Sequence, residues 1–236
     1  MCNLYHLSSK GSAERAVGSV SRQLLGEDWQ PRTVGPLQPG VFLVREGQSD
    51  LRGVQGQWGM IRPGQPERRP EMRYSTNNAR VESVATKPTF AHAWKRGQRC
   101  LVPADWYAEP NWETGKNIWW HLRRADGAPW FLAGLWSEWV DSASGEVVPN
   151  FTVLTCNCDD HPMLVRLHKP DPKLPPDRQD KRSLVHVDAS DWDQWLSGTA
   201  DEALQLITPQ PVEVFDQADA QRTDGLLAAG SFGSLF

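Results

Sequence analysis

From Gln98 onward the chain reads QRCLVPA (Gln98–Ala104), NIWWHLR (Asn117–Arg123), PWFLAGLWSEWV (Pro129–Val140) and NFTVLTCN (Asn150–Asn157). Each run is apolar and rich in aromatic or β-branched residues, and turn-forming residues separate the runs, which is the pattern of strands. GVFLVRE (Gly40–Glu46), VQGQWGM (Val54–Met60) and RSLVHV (Arg182–Val187) add three more. Helical spacing is confined to three places. AERAVGSVSRQLLG (Ala13–Gly26) has a glycine stop, and PTFAHAWKRG (Pro88–Gly97) has proline in its first turn and glycine at its end. ASDWDQWLSG (Ala189–Gly198) carries Ser190 or Asp191 near its cap. RRPEMRYSTNNAR (Arg68–Arg80) is polar and irregular, which suits a loop that positions side chains. The expectation is one α+β domain over residues 1–215. Its core is a mostly antiparallel sheet curled toward a barrel, with a few peripheral helices. A small-residue-rich tail, loosely docked, would occupy 216–236.

Composition narrows the function classes. No apolar run approaches the ~20 residues a membrane span needs, and the first residues lack a signal-peptide pattern, so the expected location is cytoplasmic. Four cysteines in 236 residues are too few for a disulfide framework. A net charge of −4 argues against non-specific coating of nucleic acid. It leaves room for a local basic groove, and Arg62 to Arg99 is the basic part of the chain. Tryptophan is the outlier: twelve against seven Phe and three Tyr. Most must be core, and a minority on a basic face would serve base stacking.

Four places carry residues that packing does not explain. Cys2 stands directly behind Met1 in MCNLYHL. Removal of Met1 leaves a thiol and a free α-amino group on adjacent carbons, a pair that condenses with an aldehyde to an imine and closes to a thiazolidine. The others are NNARVES (Asn77–Ser83), RCLVPADWYAEP (Arg99–Pro110) and TCNCDDHPMLVRLHKP (Thr155–Pro170). The second of these three reads as a strand ending at Pro103, with Asp105 and Glu109 just beyond it. In the third, a strand runs into a loop that holds His161 and His168. Cys156 and Cys158 lie on one strand face without a second cysteine pair, so no metal and no cofactor are expected.

MC at the start, WGMI (Trp58–Ile61), NARVES (Asn78–Ser83), RCLVPADWYAE and TCN…HPMLVRLHKP, in this order, resemble the successive motifs of the SRAP family. Those are the SOS-response-associated peptidases that crosslink to abasic sites in single-stranded DNA. There are departures: Asn3 and Leu4 follow the cysteine in place of Gly and Arg, and PADWYAEP replaces PADGFYEW. RPGQPERRP stands where paired tryptophans often follow WG, and an inserted loop follows His168.

The resemblance implies a sensor and covalent shield of abasic sites that is also a self-processing cysteine peptidase, removing its own Met1, with lyase activity at the abasic site. It would act as a monomer with no obligatory protein partner, associated with the bacterial nucleoid when bound to DNA. Cys2 would be the nucleophile, after loss of Met1 through an N–S acyl shift or a nearby base. Asn78, with Asn77 as the alternative, would hold the terminal amine or the sugar hydroxyl. Glu109 would be the general acid/base, its pKa raised toward the working range, while Asp105 caps a turn. His168, rather than His161 in a turn, would protonate the sugar ring oxygen. Arg80 would bind a flanking phosphate or, in the plainer reading, pair with Glu82 or Glu109. Two other classes stay open: an N-terminal-nucleophile amidohydrolase or amidotransferase on a layered α/β/β/α fold, and a non-covalent single-strand DNA binding module.

Overall fold

The computed structural model describes residues 2–68 and 75–217. In chain order its elements are β1 (Tyr5–Leu7), α1 (Lys10–Gly18), β2 (Leu24–Leu25), β3 (Arg32–Val34), β4 (Pro39–Glu46), β5 (Asp50–Trp58), β6 (Asn78–Arg80), α2 (Val81–Val84), α3 (Pro88–Lys95), β7 (Arg99–Asn111), β8 (Ile118–Leu122), β9 (Trp130–Val140), β10 (Val147–Asn157), β11 (Arg182–Leu184), α4 (Trp192–Ser197) and α5 (Ala200–Gln205).

Five strands close into a barrel. β4 pairs antiparallel with β5 and β7, β7 with β9, and β9 with β10. β10 then returns to β5 in parallel, through Asn150 opposite Gln57 and Phe151 opposite Trp58. Closure removes the free edges that an open sheet would expose. The remaining strands pair onto this ring from outside it. The architecture is the α+β, barrel-like single domain that the strand runs call for. It is not the layered sandwich that an N-terminal-nucleophile amidohydrolase requires.

Tryptophan fills much of the core. Trp58, Trp130, Trp192 and Trp195 are fully buried. Their indole N–H groups donate to the carbonyls of Asn77, Leu122, Val187 and Cys100 at 2.8–3.1 Å. With 150–250 Å² removed from water, each contributes roughly 4–6 kcal/mol before side-chain entropy is subtracted. A satisfied N–H is what lets an indole be buried without a desolvation penalty.

Several local expectations are corrected. The first helix begins at Lys10, because the Ser9 hydroxyl caps it by accepting the Ser12 N–H at 3.1 Å. It ends at Gly18, well before Gly26. Leu24–Leu25 instead pairs with β5, and Gly26 (φ +104°) sits so close to that strand that a Cβ would lie 2.6 Å from the Gly53 carbonyl. β7 does not stop at Pro103 but runs thirteen residues to Asn111. Pro103 falls between Leu101, which faces β4, and Ala104, which faces β1, so its missing N–H is tolerated there. Asp105 caps no turn; it is the extra residue of a bulge, since Leu7 pairs with Ala104 and His6 with Trp106. Asn78–Arg80 is a strand parallel to β10 rather than loop. Asp191 takes the N-cap position of α4 without a side-chain capping bond. Thr199 and Glu202 form a capping box that starts the unexpected α5. Residues 69–74 of the expected loop, and 218–236 of the expected tail, lie outside the described residues.

Candidate active site

The WGM motif holds the asparagines. Trp58 donates its indole N–H to the Asn77 carbonyl at 2.8 Å, and the Met60 N–H donates to the Thr76 carbonyl at 3.2 Å. β10 completes the grip, with the Val153 N–H on the Asn77 carbonyl at 3.0 Å and Val153 opposite Asn78. The two amide groups are thereby fixed against the chain's beginning. Asn78 Nδ2 donates to the Cys2 carbonyl at 2.6 Å, and Asn77 Nδ2 to the same oxygen at 3.0 Å. The alternatives left open by the sequence are therefore partners. Asn77 also reaches Asn3 Oδ1 at 3.2 Å and takes the Ser75 hydroxyl.

Cys2 itself is fully buried, its thiol donating to the Leu4 carbonyl at 3.3 Å. That carbonyl also accepts the Ala108 N–H at 2.9 Å, which ties the chain's start to β7 one residue before Glu109. Burial first, and the Glu109 carboxylate second, push the Cys2 thiol well above its ordinary pKa. At neutral pH it carries its proton.

Glu109 projects from the far half of β7 and is only 2% exposed. Its Oε2 lies 3.0 Å from His168 Nε2. The sequence leads one to expect a carboxyl that titrates high, and the structure reverses this. Burial does push it up. The charge of His168 and the hydrogen bond to His168 oppose burial, and the carboxyl is held below the usual range. Glu109 is therefore a charged base at neutral pH.

His168 reaches that carboxylate from a strained backbone. Its φ is +64°, a left-handed conformation costly for a residue with a side chain. Three hydrogen bonds hold it there. The His168 N–H donates to the Pro110 carbonyl at 2.6 Å, and Lys181 Nζ donates to the carbonyls of Leu167 and His168, each at 2.6 Å. Lys181 is 5% exposed, and burial lowers its pKa. Sequence reading missed it, because DKRSLV gives no sign that the lysine turns inward. His161, by contrast, serves its turn: Nδ1 accepts the N–H groups of Met163 and Leu164 at 3.2 and 2.9 Å.

Arg80 stands two residues beyond Asn78 and pairs with Asp180, from the inserted loop, not with Glu82 or Glu109. Glu82 is taken by Arg182 at 2.8 Å. Cys156 and Cys158 are free, buried thiols, their pKa values pushed up to about 11 and about 12 chiefly by burial. Among the described residues no group of three or more His, Cys, Asp or Glu is placed to hold a metal ion. A cavity of about 480 Å³ lies elsewhere, lined by Arg15, Arg124, Trp130, His186 and Trp192. None of the expected site residues lines it.

The cysteine at position 2, two amides, a carboxylate and an imidazole are thus brought together. A family model described as SOS response associated peptidase (SRAP) matches residues 1–222. The chain belongs to the SRAP family. The barrel recurs in solved structures. A Bordetella bronchiseptica protein is 30% identical over 91% of this chain and 97% of its own, with a TM-score of 0.76. A Bacteroides thetaiotaomicron protein is 19% identical over 90% of each chain, with a TM-score of 0.67. A phage-related protein from Bordetella bronchiseptica is 18% identical over 91% of this chain and 92% of its own, with a TM-score of 0.63. No curated protein matches the chain. As an SRAP protein, the chain is a peptidase-like member of a family associated with the response to DNA damage. No helix among the described residues is long and apolar enough to cross a membrane.

Proposed function

We propose that the protein recognises abasic sites in single-stranded DNA and bonds to them through Cys2 once Met1 has been removed. The observation that carries this reading is the convergence on residue 2. Two asparagine amides grip its carbonyl, and the buried Glu109 carboxylate, 3.0 Å from the His168 imidazole, is near enough to help push up the pKa of its thiol.

Hydrolysis of the Met1–Cys2 amide frees the α-amino group, and the cysteine thiol or Glu109 assists. The ring-opened abasic sugar offers an aldehyde at C1′, and His168 promotes that opening by protonating the ring oxygen. The raised thiol pKa sets the order of bond formation, since a protonated sulfur is the poorer nucleophile. The amine attacks first. Its C–N bond forms, the carbonyl oxygen leaves as water with protons passed through Glu109, and an imine results. Sulfur then adds across the C=N bond while its proton passes through Glu109 to nitrogen, closing the thiazolidine. Net, one water is lost. Asn77 and Asn78 contribute by keeping the reacting atoms in place rather than by proton transfer. Arg80 takes a flanking phosphate in exchange for Asp180.

Cys2→Ala tests the scheme. It retains an α-amine for the imine and lacks the sulfur that closes the ring. An abasic oligonucleotide should still bind, and an adduct should survive a denaturing gel only after borohydride reduction. Equal amounts of denaturation-resistant adduct from Cys2→Ala and wild type, without reductant, would refute the role of the thiol. The single-strand binding module reading predicts no adduct from either protein.

A further inference from the structure

We infer that Trp112 and Lys169 form a base-stacking platform beside the Cys2–Glu109–His168 site, taking the nucleobase next to the lesion in single-stranded DNA. The inference rests on the proposed DNA substrate and adds where the strand lies.

Nine of the twelve tryptophans are buried. Three are half-buried: Trp112, Trp119 and Trp136. Trp136 packs against the main core, and Trp119 against Leu4, Trp106 and Ala108. Trp112 belongs to no hydrophobic cluster among the described residues. Its indole face is covered by a cation, with Lys169 Nζ 5.2 Å from the ring centroid. A large aromatic surface left outside the core, with a long flexible lysine laid over it, is what an unoccupied stacking site offers.

Its place in the chain ties it to the chemistry. Trp112 lies three residues after Glu109, and Lys169 is the residue after His168. The two segments are bridged directly, Asn111 pairing with Leu167 and the His168 N–H donating to the Pro110 carbonyl. The platform and the catalytic pair therefore hang on the same two chain segments, 109–112 and 167–169. Glu113, the residue after Trp112, does not repel DNA freely. Glu113 is held by Arg166 through two contacts of 2.8 Å, while that guanidinium lies over Trp120 at 4.8 Å. A base seated on Trp112 displaces Lys169, whose ammonium is then free for the adjoining phosphate.

The test is a cycle of protein and DNA variants read by fluorescence anisotropy. The DNA carries a tetrahydrofuran analogue of the lesion, which has no aldehyde, so binding is measured without the covalent step. One oligonucleotide has bases on both sides of the analogue, and a second lacks those two bases. Wild type should bind the second about tenfold more weakly. Trp112→Ala should bind the first about tenfold more weakly than wild type and make no distinction between the two. Trp112→Phe, which keeps a stacking face, should recover most of the difference. If Trp112→Ala binds like wild type, or loses the same factor on both oligonucleotides, the platform is refuted. It is equally refuted if wild type binds neither. Crosslinking of wild type to an authentic abasic oligonucleotide separates the two readings. A crosslink without the coupling removes the platform and leaves the Cys2 chemistry, whereas the coupling without a crosslink does the reverse.

Discussion

His186 lies two residues past the end of β11 and packs against Trp130, Tyr107 and Phe215, with ring centroids at 4.2, 5.5 and 6.0 Å. It is 3% exposed, and neither ring nitrogen has a hydrogen-bond partner among the described residues. Burial, and then the charge of Arg124, lower its pKa to about 3. An unfolded histidine titrates near ~6.5. Between these values the unfolded chain holds a proton that the folded chain does not, so stability falls as pH falls. The slope is ~1.4 kcal/mol per pH unit, and between pH 7 and 5 this one group removes about 2 kcal/mol. Above pH 6.5 its effect is gone. His186→Leu, close in volume, should lose that slope whatever its offset at pH 7. Urea unfolding followed by tryptophan fluorescence at pH 7, 6 and 5 reads both proteins. Wild type should approach the variant's stability, or fall below it, as the solution is acidified. Parallel lines for the two proteins would mean that His186 charges as easily inside the fold as outside it, and would refute the reasoning.

Two further outcomes concern the site. Glu109→Gln keeps the shape and removes the base, so crosslinking at pH 7 should slow by roughly 10²- to 10⁴-fold on a denaturing gel time course. Because the native carboxyl sits below the usual range, wild type should keep this contribution through mildly acid pH, and a variant within threefold of wild type would exclude Glu109 as the base. Arg80→Ala should weaken binding to any single strand and reduce the slope of log K against log salt by about 0.7, the share of one phosphate contact. An unchanged slope would confine Arg80 to its pair with Asp180.

The barrel was legible because its strands are written as separate apolar runs with turn residues between them, as PWFLAGLWSEWV and NFTVLTCN illustrate. Closure was less so: the parallel return of β10 to β5 joins residues about ninety positions apart, and no local pattern encodes it. Pro103 misled as a strand end because its tolerance depends on which neighbours flank it. The unread α5 did carry its signal, the Thr199–Glu202 capping box. Motif resemblance picked out Cys2, Asn78, Glu109 and His168, whereas pairwise geometry shows what each of them contacts. The low pKa of Glu109 comes from charges brought to it by distant segments, and the partnership of Asn77 with Asn78 depends on a carbonyl 75 residues away. Lys181 and the unpartnered His186 show the same limit. A buried polar side chain flanking a short strand looks in sequence like any other.

The most direct test of the Cys2 chemistry is intact-mass analysis of the protein alone and after incubation with a single-stranded oligonucleotide bearing one abasic site. The expected result is a protein mass lacking Met1, with a denaturation-resistant adduct equal to protein plus oligonucleotide less one water. A protein that retains Met1 and forms no adduct would contradict it.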